Sequence, residues 1–285
     1  MRPTIQEALN WASLFLKQHN REEKVAELLL IHVLGLSRLD FLMQLQEQIR
    51  PDVYDTFKQM VTRHATTGIP LQHLTGEEQF YDRTFKVTKD TLIPRQETEE
   101  LMYYLLKDLN KRPHLTDVVD VGTGTGVLAI TLKLEQPHLN VYAVDISDAA
   151  LRVAKDNANT LGALVTMQSS DFLSHFIETD QHVDVIVSNP PYIPYSDLDS
   201  LSDTVKNFDP HLALFSEEDG LYSYRTIIAG ATHVLRPHGL MAFEIGHNQK
   251  EAVTALIKRA FPDATVETKQ DMFGRDRMVF MYQDV

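Results

Sequence analysis

The sequence predicts an α/β fold, with a mostly parallel sheet covered by helices on both faces and a small helical bundle in front of it. Three observations carry this. From residue 117 onward, short β-branched runs alternate with amphipathic helical stretches, the pattern that builds parallel sheets. Residues 1 to about 70 show helical spacing only. Between them, residues 71–95 carry two short aromatic runs around Asp82-Arg83, which predicts a hairpin.

The helical part opens with Thr4-Ile5-Gln6-Glu7, which has capping-box spacing, followed by Ala8, Trp11, Ala12 and Phe15 on one stripe. Ala26, Leu29, Leu30 and Val33 form a second stripe. Pro51 suits the first position of a helix carrying Val53, Phe57, Met60 and Val61, which Gly68 and Pro70 stop. After the hairpin, Ile93-Pro94-Arg95 leads into a helix with Glu97, Glu99 and Glu100 in its first turn, where the macrodipole favours acids. Strands follow at 117–121, 140–144, 165–168 and 183–187, with helices at 126–136 and 147–161. A helix at 221–235, a strand at 240–244 and a helix at 249–261 come next. The closing strands, 264–268 and 277–281, have little chain between them and are expected to pair antiparallel.

Composition narrows the function. The chain has 285 residues, 43% hydrophobic and 24% charged, enough for two domains and a sizeable core. It has no cysteine, which excludes disulfides, thiol nucleophiles and Cys-ligated zinc. No apolar run reaches the roughly 18 residues that cross a bilayer, and MRPTIQEALN lacks a signal-peptide core. A cytoplasmic protein with no membrane partner is expected. The net charge, 27 Lys and Arg against 40 Asp and Glu, is −13. Proteins that grip nucleic acid usually present a basic face, so a protein or small-molecule partner is favoured. The 12 histidines are scattered; His211 and His247 lie near presumed site loops, and packing or surface roles are expected for them.

Three motifs fall at the ends of successive strands. In Val118-Val119-Asp120-Val121-Gly122-Thr123-Gly124-Thr125-Gly126, a strand enters a glycine-rich turn that opens a helix. Glycines let a ligand approach the backbone, and the helix N-terminus offers free N–H groups. The dinucleotide fingerprint would need its third glycine at Val127, and no GxxxxGK[ST] is present. The turn therefore suits a nucleoside bearing an amino-acid carboxylate and no phosphate, as in S-adenosylmethionine. Gly122, Thr123, Gly124, Thr125 and Gly126 are its expected contacts. Asp145 ends the second strand, placed to accept from ribose hydroxyls. Ser170-Asp171-Phe172 follows the third strand, with Phe172 expected over the adenine and Asp171 by its amine.

The third motif is Asn189-Pro190-Pro191-Tyr192, after the buried run Val183–Val187. The prolines fix φ and offer no N–H, so the carbonyls of Asn189 and Pro190 become acceptors on a stiff support. The Asn189 amide adds an acceptor and a donor, and Tyr192 a flat surface. Together they suit a planar –NH2 group whose hydrogens are held by acceptors while its nitrogen faces the cofactor. In-line positioning supplies much of the acceleration, with no metal and no covalent intermediate.

With these motifs the chain resembles the class I S-adenosylmethionine-dependent methyltransferases bearing the Asn-Pro-Pro-Tyr signature. Pro70–Gly76 (PLQHLTG), Ile93–Glu99 (IPRQETE), Asp209–Leu214 (DPHLAL) and Gly274–Arg277 (GRDR) are similar to the protein-(glutamine-N5) methyltransferases of peptide-chain release factors, over nearly the whole chain. The resemblance implies a Rossmann-like seven-stranded sheet with its last strand antiparallel. It implies residues 1–75 as a bundle that binds the protein substrate, 76–95 as a linking β-hairpin and 96–285 as the S-adenosylmethionine-binding domain. It implies methyl transfer to the glutamine of the Gly-Gly-Gln loop, with S-adenosylhomocysteine as product. Asn189, Pro190 and Tyr192 would be catalytic, and Asn189, Pro190, Pro191 and Tyr192 would hold the glutamine. The cofactor would contact Gly122, Gly124, Gly126, Asp145, Phe172 and Asn189. A monomer that does not bind nucleic acid directly is expected. One departure stands out: Gln96 occupies a position that is usually proline.

Competing readings are a glutamine methyltransferase of a ribosomal protein, an adenine-N6 nucleic-acid methyltransferase and a non-catalytic S-adenosylmethionine-binding module. The second needs a basic, aromatic-bearing surface to hold a flipped base. The third has no use for acceptors around an amine.

Overall fold

A computed structural model describes residues 2–283. The chain divides into two compact units: residues 1–76 with 202–208, and residues 77–201 with 209–285.

In the first unit, α1 (Ile5–Gln18) is closed by the expected capping box. The Thr4 side chain accepts from the Glu7 amide at 3.2 Å, and the Glu7 carboxylate accepts from the Thr4 amide at 2.8 Å. It buries Ile5, Ala8, Ala12 and Leu16 against Val25, Ala26, Leu29 and Leu30 of α2 (Lys24–Leu34). The short α3 (Arg38–Met43) is capped by Ser37 and buries Phe41. Pro51 starts α4 (Pro51–Thr67), which buries Phe57 and Val61 and ends at Gly68 with φ +73°. Trp11 stacks on Phe15 and meets Phe57 edge-on. The small α5 (Leu71–Thr75) follows Pro70.

The second unit begins with a hairpin, β1 (Glu77–Phe80) and β2 (Arg83–Lys86). Its turn is Tyr81-Asp82, one residue earlier than the sequence suggests. Both residues have positive φ, 50° and 59°, which makes a two-residue turn matching the twist of the strands and leaves Arg83 paired with Phe80. Helix α6 (Gln96–Leu109) follows an extended Arg95. Gln96 takes the first helical position, where a proline would also fit.

The alternating elements then appear in the expected order, with one short helix, α9, that the sequence did not predict: β3 (Asp117–Val121), α7 (Val127–Glu135), β4 (Asn140–Asp145), α8 (Asp148–Leu161), β5 (Thr166–Ser169), α9 (Ser174–Glu178) and β6 (Val183–Ser188). For residues 193–220 the sequence predicts no helix or strand, although they carry the DPHLAL motif. The segment folds into β7 (Ile193–Pro194), a 3₁₀ helix (Tyr195–Ser200), α10 (Asp203–Phe208), α11 (His211–Leu214), β8 (Phe215–Ser216) and α12 (Glu217–Gly220), with β7 and β8 paired in parallel. The chain closes with α13 (Tyr222–Val234), β9 (Leu235–Glu244), α14 (Lys250–Ala260), β10 (Thr265–Gln270) and β11 (Asp276–Tyr282).

The seven-stranded sheet has the order β10-β11-β9-β6-β3-β4-β5, and β11 runs antiparallel to both its neighbours. Along β3, β6 and β9, alternate residues enter opposite cores. Val118, Val185 and Leu240 lie on one side; Val119, Ile186 and Met241 lie on the other. Both faces are covered, as a parallel sheet requires. Strand β9 starts five residues before the expected Leu240. Arg236-Pro237-His238-Gly239 hides its beginning, because Arg236 is an ion-pair residue for Asp117 and Asp184 at the starts of β3 and β6, at 2.5 and 3.0 Å. Among the described residues no helix is long and apolar enough to cross a membrane.

Candidate active site

Within the second unit, the carboxyl ends of β3, β4 and β6 open on one cavity of about 620 Å³. Gly122 and Gly124 line it, both with positive φ (73° and 55°), and a Cβ on either would project into open space. Gly126 does not line it. Its φ is +85°, and a Cβ there would sit 2.8 Å from Ile130 and 3.2 Å from Ala154, so its bareness lets α7 pack on α8. Thr123 and Thr125 line the cavity but are buried, and the Thr123 hydroxyl is committed to Asp120 at 2.6 Å.

Asp120 was not singled out in the sequence, although an acid two residues before the first glycine was a visible signal. Its Oδ2 accepts from Thr123 and from the Ala129 amide, while Oδ1 is buried with no hydrogen-bond partner among the described residues. Burial pushes its carboxyl up to about 7, against the pull of those two hydrogen bonds. The turn is further tied by Asn157 of α8, which is 2% exposed. Its amide donates to the Thr125 and Lys86 carbonyls and accepts from the Lys86 amide, at 2.9, 3.0 and 2.7 Å.

Asp145 lines the cavity from the end of β4. Oδ2 accepts from the Gly124 amide and Oδ1 from the Ser147 amide, each at 2.9 Å. Burial raises its carboxyl above the ordinary value, against those N–H donors. Asp171 and Phe172 line the same wall. Phe172 has φ +48°, a costly backbone state for an aromatic residue, held by Ser170 Oγ donating to its carbonyl at 2.9 Å. Tyr222 meets its ring edge-on at 6.2 Å.

The Asn-Pro-Pro-Tyr corner continues directly from β6. The Ser188 hydroxyl donates to the Val121 carbonyl at 2.6 Å, which fixes the end of β6 beside the start of the glycine turn. Asn189 and Pro191 line the cavity, with buried Pro190 between them in the chain and half-buried Tyr192 next after them. Tyr192 packs against the core on the Met241 side, and burial raises its hydroxyl pKa. The aromatic surface on the cavity is instead Tyr195, stacked on Phe215 at 5.0 Å. The corner is braced from behind by Gln249, whose Nε2 donates to the Tyr192 carbonyl at 2.9 Å and whose Oε1 accepts from the Gly246 amide at 3.0 Å. Gly220 packs against that same carbonyl, where a Cβ would collide with it.

A buried chain of hydrogen bonds runs away from Asn189. Its Nδ2 donates to Thr98 Oγ1 at 3.0 Å, and Thr98 Oγ1 donates to Glu244 Oε2 at 2.7 Å. Burial pushes the Glu244 carboxyl up to about 7, with Thr98, Arg277 and Arg95 drawing it down and Glu97 drawing it up. Arg95 also pairs with buried Asp209 at 2.8 Å, which gives the DPHLAL segment an anchor. Thr91, Pro94 and Arg95 line the cavity as well, a contribution the sequence reading did not assign to the stretch after the hairpin. Glu99 and Glu100, expected to act on the helix dipole, accept from the Tyr81 and Met272 amides at 2.6 and 3.2 Å. Among the described residues no group of three or more His, Asp or Glu is placed to hold a metal ion.

Comparison with known proteins shows the family. Residues 7–76 match the family described as PrmC N-terminal domain, and residues 98–207 match Methyltransferase small domain. The chain is 46% identical to a release factor glutamine methyltransferase of Bacillus anthracis over 97% of its length and 98% of that protein. It is 43% identical to that of Bacillus subtilis (97% and 96%) and 37% to that of Staphylococcus aureus (96% and 97%). Among solved structures, the hMettl16 catalytic domain, crystallised with an RNA hairpin, aligns with a TM-score of 0.55 at 14% identity over 83% of each chain. A Thermus thermophilus 16S rRNA N2 G1207 methyltransferase, in complex with AdoMet and guanosine, aligns at 0.53 and 16%, over 73% of this chain and 50% of that one. At these identities the two structures speak to the fold alone.

Proposed function

The chain belongs to the release factor glutamine methyltransferases, and from that premise we propose that it methylates the side-chain amide nitrogen (N5) of the glutamine in the Gly-Gly-Gln motif of a release factor. It is an S-adenosylmethionine-dependent enzyme acting on a protein glutamine. One observation carries the finer reading: a single cavity is lined both by Gly122, Gly124, Asp145 and Phe172 and by Asn189.

The residues fit S-adenosylmethionine. Open space over Gly122 and Gly124 admits the methionine part, and Asp145 retains lone pairs for ribose hydroxyls. Phe172 would cover the adenine. Bound there, the sulfonium supplies the methyl group. The protein's part is to hold the glutamine amide by its hydrogens, with the Asn189 side chain and the Pro190 carbonyl as acceptors. Drawing both hydrogens toward acceptors returns electron density to the nitrogen, and orientation lowers the barrier further. No residue need form a covalent bond, and the reading requires no metal.

Charge supports a protein substrate over nucleic acid. Residues 1–76 carry 8 Lys and Arg against 8 Asp and Glu; residues 77–285 carry 19 against 32. The whole excess of −13 therefore lies in the part that contains the cavity, which disfavours a polyphosphate backbone. The neutral helical unit is read as the surface that holds the release factor. Its removal should raise KM for the full-length factor and leave S-adenosylmethionine binding unchanged. The enzyme is read as a cytoplasmic monomer.

The test is methyl transfer from labelled S-adenosylmethionine to a purified release factor, to its Gly-Gly-Gln to Gly-Gly-Ala variant and to DNA. Label on the first alone is expected. Label on DNA, or on both proteins alike, overturns the substrate assignment.

A further inference from the structure

We infer that Thr98 and Glu244 are positioning residues that set which end of the Asn189 amide faces the substrate. This rests on the reading that Asn189 holds the glutamine amide.

The argument is one of hydrogen-bond polarity. Thr98 and Glu244 are 3% and 2% exposed, so water does not compete for their bonds. A carboxylate can only accept, so the single Thr98 proton goes to Glu244 Oε2. The Thr98 oxygen is left with lone pairs alone. The end of Asn189 that can meet it is the NH2, and this is the contact seen at 3.0 Å. The Oδ1 end is thereby turned away from Thr98, and Asn189 and Thr98 both line the cavity. A glutamine –NH2 brings two donors and needs acceptors. With Asn189 reversed, it would meet another –NH2.

The far end of the relay is firmly held. Glu244 ends β9, and its backbone carbonyl accepts from the Tyr224 hydroxyl at 2.9 Å. The charged or titratable groups facing its carboxyl are Arg277 of β11, Arg95 and Glu97 at the start of α6, Tyr192 of the corner and Tyr224 of α13. Burial places the carboxyl at about 7, so it is ionised on the alkaline side of neutrality. When protonated, it donates to Thr98, whose own proton becomes free for Asn189 Oδ1. The relay then runs backwards and the amide presents the wrong end. Acid should therefore lower turnover through Glu244 without touching the cofactor.

The test compares the wild type with Thr98→Ser, Thr98→Val and Glu244→Gln. kcat is measured against pH with a release factor as substrate. The Asn189 side-chain NH2 signal of the free protein is followed by 15N NMR over the same range. Expected for the wild type is a kcat that falls below about pH 7 and an Asn189 signal that titrates with it. Thr98→Ser should keep both. Thr98→Val should lose roughly tenfold in kcat at unchanged KM for S-adenosylmethionine, and its Asn189 signal should be flat. Glu244→Gln should abolish the acid limb in both readouts, which also separates Glu244 from Asp120. A Thr98→Val enzyme with wild-type kcat, or a wild-type Asn189 signal indifferent to pH, overturns the relay. The NMR arm needs neither substrate nor variant. A wild type that fails to label the release factor would thus sink the substrate reading while the relay is still decided.

Discussion

The glycine-rich turn and the Asn-Pro-Pro-Tyr corner end neighbouring strands, β3 and β6, yet they are built in opposite ways. The turn takes its shape from local features, three positive-φ glycines and Thr123 bonded to Asp120 three residues away, and Asp145 and Asn157 then tie it from 21 and 32 positions along the chain. The corner is held by residues remote in sequence. Thr98 is 91 positions from Asn189, and Gln249 is 57 from Tyr192. A site whose geometry comes from φ angles can be recognised from a short motif. A site whose geometry comes from a side-chain network has its determinants scattered over the chain. The first should tolerate distant changes, and the second should not.

The largest effect expected on either side is Asn189→Ala. Turnover should fall roughly 10²-fold or more, as for loss of one preorganised hydrogen-bonding group, while calorimetric S-adenosylmethionine affinity stays largely intact. An equally active variant would remove the chemistry assigned to the corner. The mirror experiment is Asp145→Ala. A hydrogen bond to a charged group contributes about 1.5–3 kcal/mol, so the cofactor Kd should rise about 10- to 100-fold. An unchanged Kd would mean that ribose binds elsewhere.

The next contrast lies within the turn itself. Gly126→Ala should cost about 1–3 kcal/mol of stability, through strain at φ +85° and collision with Ile130 and Ala154. Gly122→Ala shares the positive-φ strain but meets open space, so its melting loss should be the smaller of the two and its effect on cofactor binding the larger. Thermal melts with and without S-adenosylmethionine separate the two, and equal melting losses would refute the division. Of similar size is Gln249→Ala. It leaves the Tyr192 carbonyl and Gly246 amide without their partner and should cost about 1–3 kcal/mol. Its kcat should drop, while the cofactor Kd should not.

The last contrast is in pH. Asp120 and Glu244 have carboxyls raised by burial to about 7. Their folded state binds protons more tightly than the unfolded chain does. Their stabilising effect is complete below the ordinary carboxylate value and is lost as pH rises through about 7. The melting temperature of the ligand-free protein should fall between pH 5 and 8, less steeply in Asp120→Asn. A rising curve would contradict the burial argument.

Much of this was legible beforehand. The strands β3, β4, β5 and β6 were visible as apolar runs, and the antiparallel close of the sheet followed from the short connection between its last two strands. The turn at Gly122–Gly126 and Asp145 were visible because spacing along one strand–turn–helix unit is a local property. The segment 193–220 was not, because its short helices and two-residue strands have no period long enough to read. Tyr192 was expected on the substrate. In the structure Tyr192 is partly buried against the Met241-side core and Tyr195 is among the residues lining the cavity, a division that depends on packing and has no signal in the motif.

By itself, the sequence determined the alternation of elements, the glycine turn, the proline corner and the acid at the end of the second strand. Each is encoded by neighbours within a few residues, through φ preference and hydrophobic period. Only the tertiary structure decided that Thr98, Asn189 and Glu244 share one buried hydrogen-bond chain. It also decided that Gly126 serves packing while Gly122 and Gly124 open on the cavity. A hydrogen bond depends on distance in space. In a parallel sheet, residues brought together at the strand ends are separated by whole crossover helices, and no spacing rule along the chain records that they will meet.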